Sequence, residues 1–444
     1  MKRIIFILAL TVTTCAAAYA QKVKHVILVS IDGLRPDFYK DKSWPAPNLQ
    51  RLMAEGVYAD EVHSVFPSVT YPSHTTIVTG AYPARHGIYY NVPFGAKNGH
   101  WYWEESYIKT GTLWDAIKKA GMTSAAVMWP VTVGAPINYN FPVRRADDDE
   151  KTDQLTVTRP YVTPSTLIDD YGKAYGTLSK EDFGSAHDRF DKTVGNLASY
   201  IIRTYKPNLT AIHFLGADHE QHAHGRDAAE VKNAVAVIDS MIGTVIKTVN
   251  DAGLKSSTAI IITGDHGHVD TKASFAPNVY LAQHQILTDG KNWRAKFHPA
   301  GGSAFLYLKD KNDTKTLEEV KKILADLPED KKALFRVLDR TALDKIGANP
   351  EAALGIAMKK GITVSNAFAG EPLRKVKKQG SAHGYYPDFH EINTGFIAIG
   401  AGINQKKEIP EMGIKDVAPL VSQLLGLNFK APDGILISGI LSGR

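Results

Sequence analysis

Unbroken apolar runs alternate along the chain with segments of helical period. Residues 25–33, HVILVSIDG, form one such run, closed by Asp-Gly. The pattern predicts a strand buried on both faces with a polar residue at its carboxyl end. PAPNLQRLMAEGV follows as a helix stopped by glycine. TLWDAIKKAGMTSAAVMWP repeats the unit, with a helix over 112–120, Gly121 and a strand over 123–128. NLTAIHFLGADH, residues 208–219, reads as a buried strand ending in acid. AAEVKNAVAVIDSMIGTVIKTVNDAG reads as a long amphipathic helix closed by Gly253. STAIIITGDHGH is a strand ending in Asp-His, and TGFIAIGAGI and IKDVAPLVSQLLGL supply a last strand and helix. This alternation predicts an α/β fold with a mainly parallel central sheet flanked by helices. Residues 300–375 break the rhythm with AFLYLKD, TLEEVKKILADL and FRVLDRTALDKIG, all rich in surface charge. They are expected to form a small inserted α/β subdomain between the two parts of the main domain, 21–299 and 376–444.

VFPSVTYPSHTTIVTG, residues 65–80, follows neither period. Ser68, Thr70, Ser73, Thr75, Thr76 and Thr79 crowd it, and Pro67 and Pro72 bracket Thr70 just before a helix start. Two readings are open here. One is a capping turn without chemistry. The other is a hydroxyl nucleophile at a helix N-terminus, where an anion is favoured.

Composition narrows the class. A chain of 444 residues can bury one large core, or one core and an insertion. The net charge of +6 is mild, and no Lys/Arg run marks a nucleic-acid-binding surface. Lys2 and Arg3, the apolar IIFILAL and the small residues Ala18 and Ala20 match an export signal over 1–20. Cys15 is the only cysteine, and VTTC lacks the small residues expected before a lipidated cysteine. Removing the signal leaves a cysteine-free chain at ease in an oxidising compartment, periplasmic or secreted. No other apolar run approaches the length of a membrane span.

Chemistry gathers where the strands are expected to end. In open α/β sheets, sites form beyond the carboxyl ends of strands. Asp32, Asp218 with His222, Asp265 with His266, and the later His383 all belong there. Singly, each fits a polar turn or a solvated loop. Together, these carboxylates and imidazoles suit zinc, and six ligands suffice for two ions.

The order of these segments resembles the nucleotide pyrophosphatase/phosphodiesterase family of the alkaline phosphatase superfamily. SIDGLRPDF stands for its opening motif and TYPSH for its nucleophile segment. DHEQH, GDHG and AHGYY follow in the family's order. The resemblance runs from about residue 24 to the C-terminus. It implies an alkaline-phosphatase-like core and two Zn²⁺ per chain. One ion would lie at Asp32, Thr70, Asp265 and His266, and the other at Asp218, His222 and His383. His224 is the alternative to His222, because DHEQHAHG holds extra histidines. Thr70 is implied as the nucleophile, and Asn91 in GIYYNVPF as the donor to a phosphoryl oxygen. Tyr71 stands where phenylalanine is common.

The implied activity is hydrolysis of phosphodiester or pyrophosphate bonds through a phosphothreonine, on a small-molecule phosphoester such as a nucleotide. Tyr71, Tyr90 and Tyr161 are candidates to stack on a base, and Tyr71 and Tyr161 are taken with Asn91 as the substrate-binding set. Amides at the helix start after Thr70 are expected to receive a phosphoryl oxygen. The alternative activity is an exported phosphomonoesterase, with Arg144 and Arg145 as its cationic contacts. A sulfatase is disfavoured by the missing nucleophile motif, and a mutase by the export signal. A metal-stabilised binding module without turnover has no positive support.

Overall fold

The computed structural model describes residues 23–147, 152–184 and 186–443. The expected export signal lies outside the described residues.

An eight-stranded sheet organises the chain. Its order is Lys407–Gly413, Val57–His63, Phe396–Gly400, Thr258–Gly264, His25–Ile31, Leu209–Phe214, Ser124–Val127 and Tyr139–Phe141. Only Phe396–Gly400 runs antiparallel to its neighbours; the other pairings are parallel. The central strand shows why an unbroken apolar run is needed. Ile27, Val29 and Ile31 enter the core on one face, and Val26 and Leu28 enter a second core on the other. Helices Pro47–Glu55, His187–Tyr205 and Ala229–Asp251 cover the first face through residues such as Leu49, Leu197 and Ile238. Helices Thr70–Thr79, Leu113–Lys119 and Val417–Leu425 cover the second through Ile77, Trp114 and Leu420.

One expected strand is shorter than its sequence reading. It stops at Phe214, and Asp218 lies on a helix, Gly216–His224, rather than at a strand end. Asp191, remote in sequence, is the cause. Its buried carboxylate accepts the Leu215 and Gly216 N–H groups at 3.0 and 2.9 Å, which satisfies the exposed donors where the chain turns into the helix.

The hydroxyl-rich segment also becomes intelligible. Thr70–Thr79 is a helix in which every residue is buried. Thr75 and Thr79 donate to the carbonyls of Tyr71 and Thr75 at 2.8 and 2.7 Å. Thr76 lies 3.0 Å from His86 Nε2. Hydroxyls that bond within the helix let it sit wholly inside the protein.

A second sheet of four strands has the order Phe335–Leu338, Leu354–Met358, Ser303–Leu308 and Ala295–Ala300, all antiparallel. Helix Thr314–Ala325 packs on it through Val320 and Leu324. Before and after this sheet the chain pairs with itself in a small antiparallel ladder, Val269–Asp270 with Ser381–Ala382. At the hairpin corner, Gly302 N–H donates to the His383 carbonyl at 2.9 Å. Gly301 has φ +66° there, and a side chain on it would collide with that carbonyl. Among the described residues, no helix is long and apolar enough to cross a membrane.

Candidate metal centre and active site

Asp32 and Asp265 directly follow the neighbouring parallel strands His25–Ile31 and Thr258–Gly264, so their carboxylates emerge side by side. His266 Nε2 lies 3.1 Å from Asp265 Oδ2, 3.5 Å from Asp32 Oδ1 and 3.5 Å from Thr70 Oγ1. The other carboxylate oxygens are engaged. Asp265 Oδ1 accepts the Gly33 and His266 N–H groups at 3.0 and 2.9 Å. Asp32 Oδ2 sits 3.1 Å from His213 Nε2, and His213 Nδ1 lies 3.0 Å from the Met128 carbonyl. Asp32 Oδ1 and Asp265 Oδ2 remain buried without a hydrogen-bond partner.

Electrostatics mark this point as incomplete. Burial, with the charge of Asp218, pushes the Asp32 carboxyl well above its ordinary range. Burial and Asp32 do the same to Asp265. Burial and His383 hold His266 well below the usual imidazole value, so its Nε2 presents a lone pair. Two buried carboxylate oxygens facing a neutral imidazole and a hydroxyl are costly unless a cation joins them. Their 3.1–3.5 Å separations match atoms sharing one tetrahedral ion at bonds of about 2.0–2.2 Å. The residues therefore fit a divalent metal.

A second cluster abuts the first. Asp218 and His222, four apart on one helix, share a face, with Oδ1 and Nε2 3.3 Å apart. His383 brings its Nε2 to 3.7 Å from the same oxygen. Backbone carbonyls orient both rings: His222 Nδ1 is 2.8 Å from Ser381 O, and His383 Nδ1 is 3.0 Å from Ser68 O. The His266 and His383 rings stack at 3.7 Å, which joins the clusters. Burial and the neighbouring His222 push His383 down to about 3. His224 turns elsewhere, toward Glu220 and Glu230 at 3.4 and 3.9 Å, so His222 is the histidine that faces Asp218.

A cavity of about 250 Å³ opens onto Thr70, Tyr71, Asn91, Trp101 and Arg145. Here the geometry corrects two expectations. The first concerns the helix-start amides. Tyr71 N–H donates to Asn91 Oδ1 at 2.9 Å, Pro72 has no N–H, and Ser73 N–H donates to the Val69 carbonyl at 3.1 Å. The Tyr71 bond instead fixes the amide of Asn91, which lines the cavity. The second concerns Tyr161, which is exposed and lines a separate hollow with Glu104 and Val133. Arg144 lies over its ring at 6.0 Å and pairs with Asp147 at 3.2 Å, so neither residue joins the site. Tyr90 is buried, its hydroxyl bonded to those of Tyr307 and to Asn349 at 3.2 and 3.0 Å.

Tyr71 meets Trp101 and Trp103 edge-on, at 5.2 and 5.9 Å between centroids. Arg145 lies 5.9 Å over Trp101. Sequence reasoning missed Trp101, His213, and the stacked His187–His219 pair on the cavity wall, 3.6 Å apart. It also missed His268, whose Nε2 lies 2.7 Å from Asp218 Oδ1. A lone histidine inside the apolar strand LTAIHF was a signal for His213, and GDHGH held one for His268.

A family model described as type I phosphodiesterase / nucleotide pyrophosphatase matches residues 26–386. The chain belongs to this family. Its members are metal-dependent, in keeping with the three groups of ligand-type residues among the described residues. The human ectonucleotide pyrophosphatase/phosphodiesterase 5 structure aligns over 93% of this chain and 97% of its own, with a TM-score of 0.64 and 21% identity. An inactive variant of the murine protein, in complex with AMP, aligns with a TM-score of 0.65 and 20% identity, over 93% of this chain and 97% of its own. The chain thus has their alkaline-phosphatase-like fold. Among curated relatives, the bis(5'-adenosyl)-triphosphatase enpp4 of Mus musculus is 27% identical over 253 residues, 55% of this chain and 47% of the relative. A venom phosphodiesterase of Crotalus durissus collilineatus is 21% identical over 449 residues, 95% of this chain and 46% of the relative. The chain spans about half the length of these curated relatives.

Proposed function

We propose that this chain is an exported hydrolase of phosphodiester or pyrophosphate bonds in nucleotide-type substrates, with Thr70 as nucleophile and two zinc ions. One observation carries the reading. The Thr70 hydroxyl meets an imidazole lone pair and two unpartnered carboxylate oxygens at a single buried point. Asp32, Thr70, Asp265 and His266 would hold one ion, and Asp218, His222 and His383 the other. Bound ions would lower the pKa of the hydroxyl and offset the charge of the phosphoryl group.

The chain's own groups divide the remaining work. Thr70 Oγ loses its proton and bonds to phosphorus as the P–O bond to the leaving alcohol or phosphate breaks. Water then cleaves the phosphothreonine and restores the hydroxyl. Asn91 Nδ2 donates to a non-bridging oxygen. Tyr71 and Trp101 offer aromatic surface to a base. The AMP bound by the murine relative and the name of the enpp4 relative support a nucleotide.

The test is elemental analysis and turnover of wild type, Thr70→Ala and Thr70→Ser. Two zincs per chain are expected in all three. Thr70→Ala should lose several orders of magnitude in turnover and Thr70→Ser should keep part of it. Full activity without metal, or in Thr70→Ala, would overturn the reading.

A further inference from the structure

A second cavity, of about 420 Å³, adjoins the first. The two share Asn91, Trp101, His222 and His383, whereas Thr70 and Asp32 line only the first. The second therefore opens beside the second cluster rather than onto the hydroxyl. The rings trace the same order. His266 contacts Thr70 Oγ1 at 3.5 Å, His383 stacks on His266 at 3.7 Å, and it is His383 that borders the second cavity.

Its walls differ from those of the first. Val69, Tyr90 and Val92 line it from the main domain, Pro299 and Ala300 from the second sheet, and Ala382 from the ladder between them. The Tyr90 hydroxyl is turned toward Tyr307 and Asn349, so the ring is what it offers the cavity. Pro299 sits on Ala295–Ala300, the edge strand of its sheet, and has no N–H to present. Burial pushes the His298 imidazole, also on that strand, down to about 4, so it is neutral. Among the described residues, no lysine, arginine or carboxylate lines this cavity, whereas Arg145, Asp32 and Asp218 line the first.

We propose that the second cavity is the leaving-group subsite, and that it takes an uncharged, apolar alcohol. The inference rests on the reading of Thr70 as nucleophile. In phosphoryl transfer the attacking and leaving oxygens lie roughly in line. As Thr70 Oγ bonds to phosphorus, the P–O bond on the opposite side breaks, and the leaving oxygen keeps the electron pair and takes a proton from water. That oxygen faces away from Thr70, on the side where the second cavity begins. A charged leaving group would enter it with no partner for its charge, which is costly. Diesters of apolar alcohols are therefore favoured over pyrophosphate bonds, whose leaving group is a phosphate anion.

The experiment uses nucleoside 5'-aryl phosphodiesters whose leaving phenols match in acidity, one uncharged and one bearing a sulfonate. Wild type is compared with Val92→Lys and Val92→Trp; Val92 is half-buried, so larger side chains can be placed there. Wild type should favour the uncharged ester by about tenfold or more in kcat/KM. Val92→Lys should gain on the sulfonated ester while it loses on the uncharged one, a crossover that misfolding cannot produce. Val92→Trp should lose more on a naphthyl than on a phenyl leaving group, because it fills the cavity. Equal kcat/KM for the matched pair in wild type would overturn the inference by itself. So would a tryptophan variant with the wild-type ratio of naphthyl to phenyl ester. A wild type that cleaves neither ester, or Thr70→Ala as active as wild type, would instead overturn the reading on which the inference rests.

Discussion

Asn91 has one observed contact and one proposed role, which pull apart under substitution. Its Oδ1 accepts the Tyr71 N–H at 2.9 Å, and its Nδ2 is the proposed donor to a phosphoryl oxygen. Asn91→Ala removes both. Loss of one such donor typically lowers kcat by about 10²–10³-fold, and the abandoned N–H costs about 1–3 kcal/mol where water cannot reach it. Asn91→Asp separates the effects. The carboxylate still accepts the Tyr71 N–H, so stability should stay near wild type. Its charge, however, would face a phosphoryl oxygen at about 4 Å. At an effective dielectric of about 20, that repulsion is about 4 kcal/mol, or close to a thousandfold in rate. Asn91→Asp should therefore be more stable than Asn91→Ala yet less active. The assay is kcat/KM for a nucleotide aryl diester at one pH and metal level, with denaturant midpoints measured in parallel. An aspartate variant more active than the alanine variant would refute the donor role.

Asp218→Ala or His383→Ala should each lose about one of two bound ions by elemental analysis; retention of both would break the second-site assignment. Diesters should exceed the matching aryl monoester in kcat/KM by about a hundredfold, because a dianion places an extra charge in a partly dehydrated site. A monoester ahead by tenfold would favour the phosphatase, and Arg145, the arginine that lines the cavity, would be the first to replace. His86 gives a pH test remote from the metals. Burial pushes it down to about 3. It is neutral in the folded chain, whereas the unfolded chain takes up a proton near pH 6.5, so its contribution is intact above 6.5 and is lost as pH falls toward 3. At pH 5 the loss is about 2 kcal/mol. His86→Asn should show a shallower decline on acidification than wild type, and equal slopes would contradict this.

Much of this architecture was legible because the physics is local. A strand buried on both faces must be apolar throughout, so HVILVSIDG and STAIIITG announced themselves, and acids after them announced the site. What escaped depends on remote partners. Asp218 reads as a strand end until Asp191 arrives from another helix to cap the turn. Tyr161 and Arg144 look available until Asp147 draws the arginine away. The amides after Thr70 look open until Asn91 engages Tyr71. His268 stands in GDHGH, but its proximity to Asp218, 50 residues away in sequence, shows only in the fold.

The glycine corner at 301–302 bears on how this fold can grow. Its hairpin presses on the backbone of His383, while Phe335–Leu338 lies at the far edge of the same sheet. Lengthening the loops or helices at that outer edge leaves the contact untouched. Even a single added methyl group at residue 301 would push on the carbonyl of His383. The appended sheet is therefore an asymmetric platform for change, permissive on its outer rim and fixed at the corner it shares with the catalytic core.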